Sequence, residues 1–304
     1  MPELPEVETM RRGIAGAVGS RVVKVSKLRC LLRPIDIRPG IAQFRRRAEG
    51  ATIRRLARAG KRVVIWLDTL EAIVIEPRMT GLVLVVDPPT EQHLRWRLEL
   101  SGGSVPEICY WDRRGLGNVR LFSAEEFQQQ FGPDLLGPDA LTITADAYRE
   151  KLGRSRREIK PALLDQRAVA GIGNLYASEI LHVAGIHPQR RCHAMTVRQW
   201  QALTDATHQI LADAIRHEGS TLRDGTYRNA LNQQGGYQNL HRVYNRADRP
   251  CPRCQSSKIV RIVQTQRSTF FCEQCQTRSG ALACPYPHFL PEGELTIAQR
   301  FNAG

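Results

Sequence analysis

Three stretches of this chain combine residue types and spacings suited to chemistry. Cys251-Pro252-Arg253-Cys254 and, 17 residues later, Cys272-Glu273-Gln274-Cys275 form two C-x-x-C knuckles. Four thiolates so arranged supply a closed tetrahedral site, which suits structural zinc. Disulfide pairing is the alternative, and no export signal supports it. Pro2 becomes the terminal residue once Met1 is removed, exposing a secondary amine. Such an amine can attack a sugar C1′ and form an iminium, the Schiff-base route of covalent catalysis. Glu3 and Glu6 bring carboxylates alongside it for proton transfer. The third stretch, Gly171-Ile172-Gly173-Asn174, stands at a predicted helix start. It either lets a phosphate approach helix N–H groups or is a plain turn between helices.

These groups need scaffolds to position them. From about Arg21 to Phe122, short apolar runs alternate with turn signals: Val63 to Leu67, Ala72 to Ile75, Leu82 to Val86. Leu94, Trp96, Leu98 and Leu100 alternate with Arg95, Arg97 and Glu99, which predicts a strand with one charged face. Helical patterning covers 7–17, then 145–153, 160–165, 174–184 and 196–217. A mostly β block followed by a mostly α block argues for an α+β, multidomain chain. Gly219 to Tyr237 is polar and short of core-forming residues, so it reads as a functional loop or a linker. Cys30, Cys109 and Cys192 lack partners at ligand spacing and read as packing residues. Cys284 and His288 either extend a metal site or belong to an irregular tail.

The charge points to a polyanion. Among 304 residues, 44 Lys and Arg face 30 Asp and Glu, a formal net charge of +14. Residues 1–100 carry +8, 101–150 carry −4 and 151–304 carry +10. Two basic lobes around an acidic stretch suit a protein that grips nucleic acid from two sides. No apolar run approaches the ~20 residues that span a bilayer, and the acidic start is no signal peptide. A membrane or secreted protein is therefore excluded.

The string Pro2-Glu3-Leu4-Pro5-Glu6-Val7-Glu8-Thr9, then Arg11-Arg12-Gly13, resembles the start of the formamidopyrimidine-DNA glycosylase family. Similar segments are Lys61, Met79-Thr80-Gly81, Asp112 to Arg114, Ile159-Lys160-Pro161, Gly171 to Glu179, Gly185 to Pro188, Val243-Tyr244 and the cysteine hairpin with Arg267. The resemblance implies an N-terminal β-sandwich (1–132), a helix–two-turn–helix domain (133–240), a zinc finger (241–279) and a tail (280–304). It implies a bifunctional DNA glycosylase/AP lyase for oxidised purines such as 8-oxoguanine, working as a monomer in the bacterial cytoplasm. Its partner would be double-stranded DNA with a damaged base or abasic site, and its cofactor one structural zinc ion.

In that scheme Pro2 is the nucleophile and Glu3 the proton donor for base release. Lys61 and Arg267 are the donors for β- and δ-elimination. Asn174 and Tyr244 hold the backbone, His93 and Arg156 are further DNA contacts, and Met79 and Arg114 fill the gap left by the extruded base. Two rival readings are a non-catalytic DNA-binding protein on the same scaffold and an endonuclease VIII-like enzyme for oxidised pyrimidines. The latter typically carries Gly in place of Leu4.

The chain departs from the family pattern in places. Glu76 stands where the family usually has His, Gly115 replaces an Arg, Leu116 an aromatic wedge, and Asn245 a Gly. An acid near a phosphate repels it, so Glu76→His is expected to tighten DNA binding, most visibly at low salt. If Glu76 instead pairs with Arg78 or Arg114, the variant is expected to bind no better and to be less stable.

Overall fold

The computed structural model describes residues 2–30, 32–222 and 225–278. The first helix, α1 (Leu4–Gly13), is followed by β1 (Arg21–Lys27), β2 (Asp36–Arg38) and α2 (Ile41–Ala48). Next come β3 (Ile53–Arg58), β4 (Val63–Leu67), β5 (Ala72–Glu76), β6 (Gly81–Leu84), β7 (Leu94–Ser101), β8 (Glu107–Asp112) and β9 (Asn118–Phe122). The strands make a sandwich of two sheets, ordered β1-β7-β8-β6 and β2-β9-β5-β4-β3, antiparallel except for β2 on β9. Ile65, Ile73, Leu82, Trp96 and Leu98 meet in the core between them. The run Val63 to Leu67 is apolar without alternation because both its faces are covered. Val64 and Trp66 pack on the outside against Phe127 and Phe131 of α3 (Ala124–Phe131).

Three local readings of the sequence are corrected. Arg95 was expected on a charged face, yet a register shift between Leu94 and Trp96 turns it inward. There it is only 2% exposed, and its Nε donates to the Asp112 carbonyl at 2.8 Å. Val85, counted with the β6 run, leaves the sheet and donates its N–H to the Ala230 carbonyl at 3.0 Å. Helices α2 and α3 were not anticipated, although Ser123 and Glu126 form a capping box that marks the start of α3.

The helical block holds α4 (Ala145–Leu152), α5 (Ile159–Leu163), α6 (Asn174–Ala184) and α7 (Val197–Arg216). Gly185 closes α6, and Thr196 caps α7 by accepting the Gln199 N–H at 3.3 Å. Helix α1 joins the two cores. Leu4 is buried in the helical one, and Val7, Met10 and Ile14 are buried in the sandwich.

The Gly219–Tyr237 segment is no linker where it is described. Tyr227 and Ala230 sit in the sandwich core, and Tyr237 in the helical core. Beyond it, β10 (Val260–Gln264) and β11 (Arg267–Phe271) form a hairpin. Thr265 and Gln266, both at positive φ, make its two-residue turn and bring Arg267 to the tip. Cys109 and Cys192 are buried, and Cys30 is partly exposed. Cys284, His288 and the 280–304 tail lie outside the described residues.

Candidate active site

The site forms where α1, α6 and the hairpin tip converge. The first N–H groups of α6 point at the Glu3 carboxylate: Gly173 at 2.7 Å, Leu175 at 3.0 Å and Tyr176 at 3.4 Å. The helix N-terminus thus takes an anion, as the glycine motif allowed, and that anion is intramolecular. A Cβ on Gly173 would lie 2.3–2.6 Å from the Glu3 carboxyl atoms. Gly173→Ala is therefore expected to displace Glu3 and, on the role the family resemblance implies for Glu3, to slow base release by roughly two orders of magnitude. Its extended backbone tolerates alanine, so circular dichroism should remain native. A single-turnover excision rate within threefold of wild type would show that the Glu3 position is not critical.

Glu6 lies below Glu3 and is 3% exposed. It accepts the Glu3 N–H at 2.8 Å, the Tyr176 hydroxyl at 2.6 Å and the Ser220 N–H at 2.8 Å. Burial, reinforced by the charge on Glu3, raises its pKa above the ordinary carboxylate value. The Tyr227 hydroxyl donates to the Glu218 carbonyl at 2.9 Å and fixes the loop above it. Sequence reasoning missed the parts played by Ser220 and Tyr227. The one available signal was an aromatic residue inside an otherwise polar stretch.

On the other side, Lys160 is 1% exposed. Its ammonium donates to Asn174 Oδ1 at 2.6 Å, Thr269 Oγ1 at 2.8 Å and the Ser268 carbonyl at 3.0 Å. Three donors meet three acceptors, although burial lowers the pKa to about 7. Asn174 Nδ2 also donates to the Ser268 carbonyl, at 3.0 Å. The hairpin is thus clamped to α5 and α6.

A cavity of about 450 Å³ opens between these elements. Pro2, Glu3, Met79, Asn174, Tyr244 and Arg267 line it, six of the residues singled out from sequence, together with Glu6. Lys61 is not among the lining residues, but it feels the charges of Glu3 and Arg267. Burial lowers its pKa, the charge on Glu3 opposes that shift, and Arg267 adds to it. Arg114 is exposed, and its N–H donates to Oγ1 of Thr80, the residue after Met79, at 3.0 Å. Neither His93 nor Arg156 lines the cavity. His93 packs edge-on against Trp111, and Arg156 is exposed between α4 and α5.

Two departures acquire physical reasons. Gly115 has φ +61°, and a Cβ there would stand 2.2 Å from the Arg33 carbonyl, so an arginine does not fit this loop. Glu76 pairs with Arg78 at 3.0 Å and with Arg62 at 3.3 Å, and Asn118 donates to it at 3.3 Å. Arg114 is not among its partners. Glu76→His is accordingly expected to lower stability by about 1 kcal/mol, a modest figure because Arg78 is largely exposed. Binding of an abasic-analogue duplex should be no tighter across a salt series. Tighter binding at low salt would restore the phosphate-site placement.

The four knuckle sulfurs lie within 4.8 Å of one another, the only such His/Cys/Asp/Glu group among the described residues. Cys251 and Cys275 Sγ are 3.8 Å apart, and Cys254 and Cys272 Sγ 3.7 Å. Tetrahedral zinc with ~2.3 Å bonds to sulfur needs separations of about 3.8 Å. The donor set therefore fits a metal ion of that kind.

The family model described as the formamidopyrimidine-DNA glycosylase N-terminal domain matches residues 1–119, and that of the H2TH domain matches residues 136–226. The formamidopyrimidine-DNA glycosylase of Chloroflexus aggregans is 39% identical over 282 residues, which are 91% of this chain and 98% of that protein. A Lactococcus lactis Fpg variant solved with Fapy-dG containing DNA superposes with a TM-score of 0.79 at 32% identity, over 91% of this chain and 100% of that one. The Lactococcus lactis Fpg solved with abasic-site DNA gives 0.78 at 30% identity, over 90% and 99%. Among the described residues, no helix is long and apolar enough to cross a membrane.

Proposed function

This chain belongs to the formamidopyrimidine-DNA glycosylase family, and from that premise we propose that it excises oxidised purines from duplex DNA through a Schiff base on Pro2. The observation that carries this reading is the cavity shared by Pro2, Glu3, Asn174, Tyr244 and Arg267. With Met1 removed, the Pro2 nitrogen attacks C1′ of the extruded nucleotide. The bond from C1′ to the base breaks, and its electron pair leaves with the base, which takes up a proton. Glu3, a carboxylate oriented by the start of α6, takes the proton that the attacking nitrogen sheds and donates it to the departing base. The nitrogen lone pair then opens the C1′–O4′ bond, O4′ leaves with a proton from solvent, and the Pro2 iminium results. Loss of its C2′ proton expels the 3′ phosphate, and a second elimination expels the 5′ phosphate. Lys61 and Arg267 serve these two steps. Burial lowers the Lys61 pKa below that of a free lysine, which eases its loss of a proton.

Extruding a base costs a few kcal/mol, which contacts elsewhere must offset. Met79 and Arg114 fill the gap, and Asn174 and Tyr244 hold the backbone. His93 and Arg156 reach flanking phosphates. Zinc in the four-cysteine knuckle keeps the hairpin folded so that Arg267 stays at the site. Leu4 stands where the pyrimidine-specific relatives typically carry Gly, which favours the purine assignment. The chain works as a monomer in the bacterial cytoplasm. Borohydride trapping on duplex DNA containing 8-oxoguanine, with intact mass to establish loss of Met1, tests the proposal. A covalent adduct is expected. Tight binding with no adduct from the Met1-free protein would favour the non-catalytic rival, and a preference for an oxidised pyrimidine would favour the other.

A further inference from the structure

His182 lies at the C-terminal end of α6 and is fully buried. It was not among the residues singled out from the sequence. Its Nε2 is 3.4 Å from Sγ of Cys251, the first cysteine of the first knuckle. Cys251, Cys272 and Cys275 are buried as well, so water offers these sulfurs little solvation. A metal-bound cysteine is a thiolate and carries no proton. The one hydrogen bond these two atoms can then make has the ring N–H as donor and the sulfur as acceptor. Four thiolates outweigh the two charges of a divalent ion, and a buried excess of negative charge needs donors aimed at it.

The surrounding contacts make this a seat. Arg253, inside the first knuckle, donates to the His182 carbonyl at 3.1 Å, where a cation suits the end of a helix. From the second knuckle, Gln276 donates to the Ile186 carbonyl at 2.8 Å and accepts the Cys272 N–H at 3.0 Å. The opposite end of α6 holds Glu3. About 12 Å of helix therefore separates the metal knuckle from the carboxylate of the cavity.

We propose that His182 is a positioning residue for the metal centre: its Nε2–H donates to the Cys251 thiolate, tuning the site and registering it on the helix that orients Glu3. The inference rests on the zinc assignment above, and its test separates the two. In wild-type protein loaded with 113Cd, the ring should be the Nε2-protonated tautomer, and the Nε2–H proton should show scalar coupling to cadmium through the sulfur. His182→Phe, which keeps the ring but loses the donor, should bind zinc about 10–100-fold more weakly in competition with a chromophoric chelator. With Co2+ bound, its sulfur-to-metal charge-transfer band should shift. His182→Gln, which regains an N–H, should recover part of the affinity. A loaded protein with an Nδ1-protonated ring and no coupling would overturn the role of His182 and leave the zinc reading intact. So would a folded Phe variant with unchanged affinity and spectrum. A wild-type protein that takes up no metal at the four cysteines would overturn both.

Discussion

Pro2→Gly, with the initiator methionine removed, is expected to slow excision of 8-oxoguanine by at least about 10²-fold, or ~3 kcal/mol of barrier. Glycine still presents an amine, but a primary one without the ring that fixes its direction. Pro2 is buried against a wall that includes Glu3 and Asn174, so loss of that ring frees the attacking nitrogen from its alignment. Binding should change little, because the phosphate contacts proposed above lie on other residues. Single-turnover excision and affinity for an abasic-analogue duplex, measured on the same preparation, separate the two effects. Unchanged turnover would show that Pro2 is not the nucleophile.

The second large effect is expected from removal of the metal. Chelation, or Cys272→Ser, should abolish tight DNA binding while the sandwich stays folded. The hairpin has only a small core of its own, Val243, Ile259 and Phe270 around the cysteines. A structural zinc site contributes roughly 10–16 kcal/mol of apparent binding energy at neutral pH, which such a core cannot replace. When the hairpin unfolds, Arg267 leaves the cavity, and Lys160 and Asn174 lose the Ser268 carbonyl. An abasic-analogue duplex should then bind at least about 10²-fold more weakly, with α6 disturbed at both ends. The sandwich core has fully buried residues on both sheets and includes none of the knuckle cysteines, so its melting transition should persist. A preparation with no stoichiometric metal and full affinity would sink the zinc assignment.

Much of this could be read without coordinates. The cysteine spacing, the opening string with Pro2 and Glu3, and the helix from Asn174 to Gly185 are local signals. A knuckle, a capping pattern and an apolar period each involve residues a few positions apart. The division into a β block and an α block follows from the same periodicities.

What the tertiary structure alone decided involves residues far apart in sequence. Gly173 read as part of either a phosphate cradle or a plain turn, and it is the space that Glu3 needs. Glu76 looked like an acid facing DNA, and two arginines neutralise it, one of them brought over from the start of β4. Arg95 read as a solvent-facing charge until a single register shift in β7 turned it inward. The Gly219–Tyr237 stretch read as polar and coreless, yet it supplies the Ser220 N–H to Glu6 and Tyr227 to the core. The reason is common to all four. A carboxylate or guanidinium is equally at home in water or against a partner, so its residue type leaves its role open. The backbone path brings a second group within hydrogen-bonding distance of it or does not, and that path is set by the packing of the whole chain.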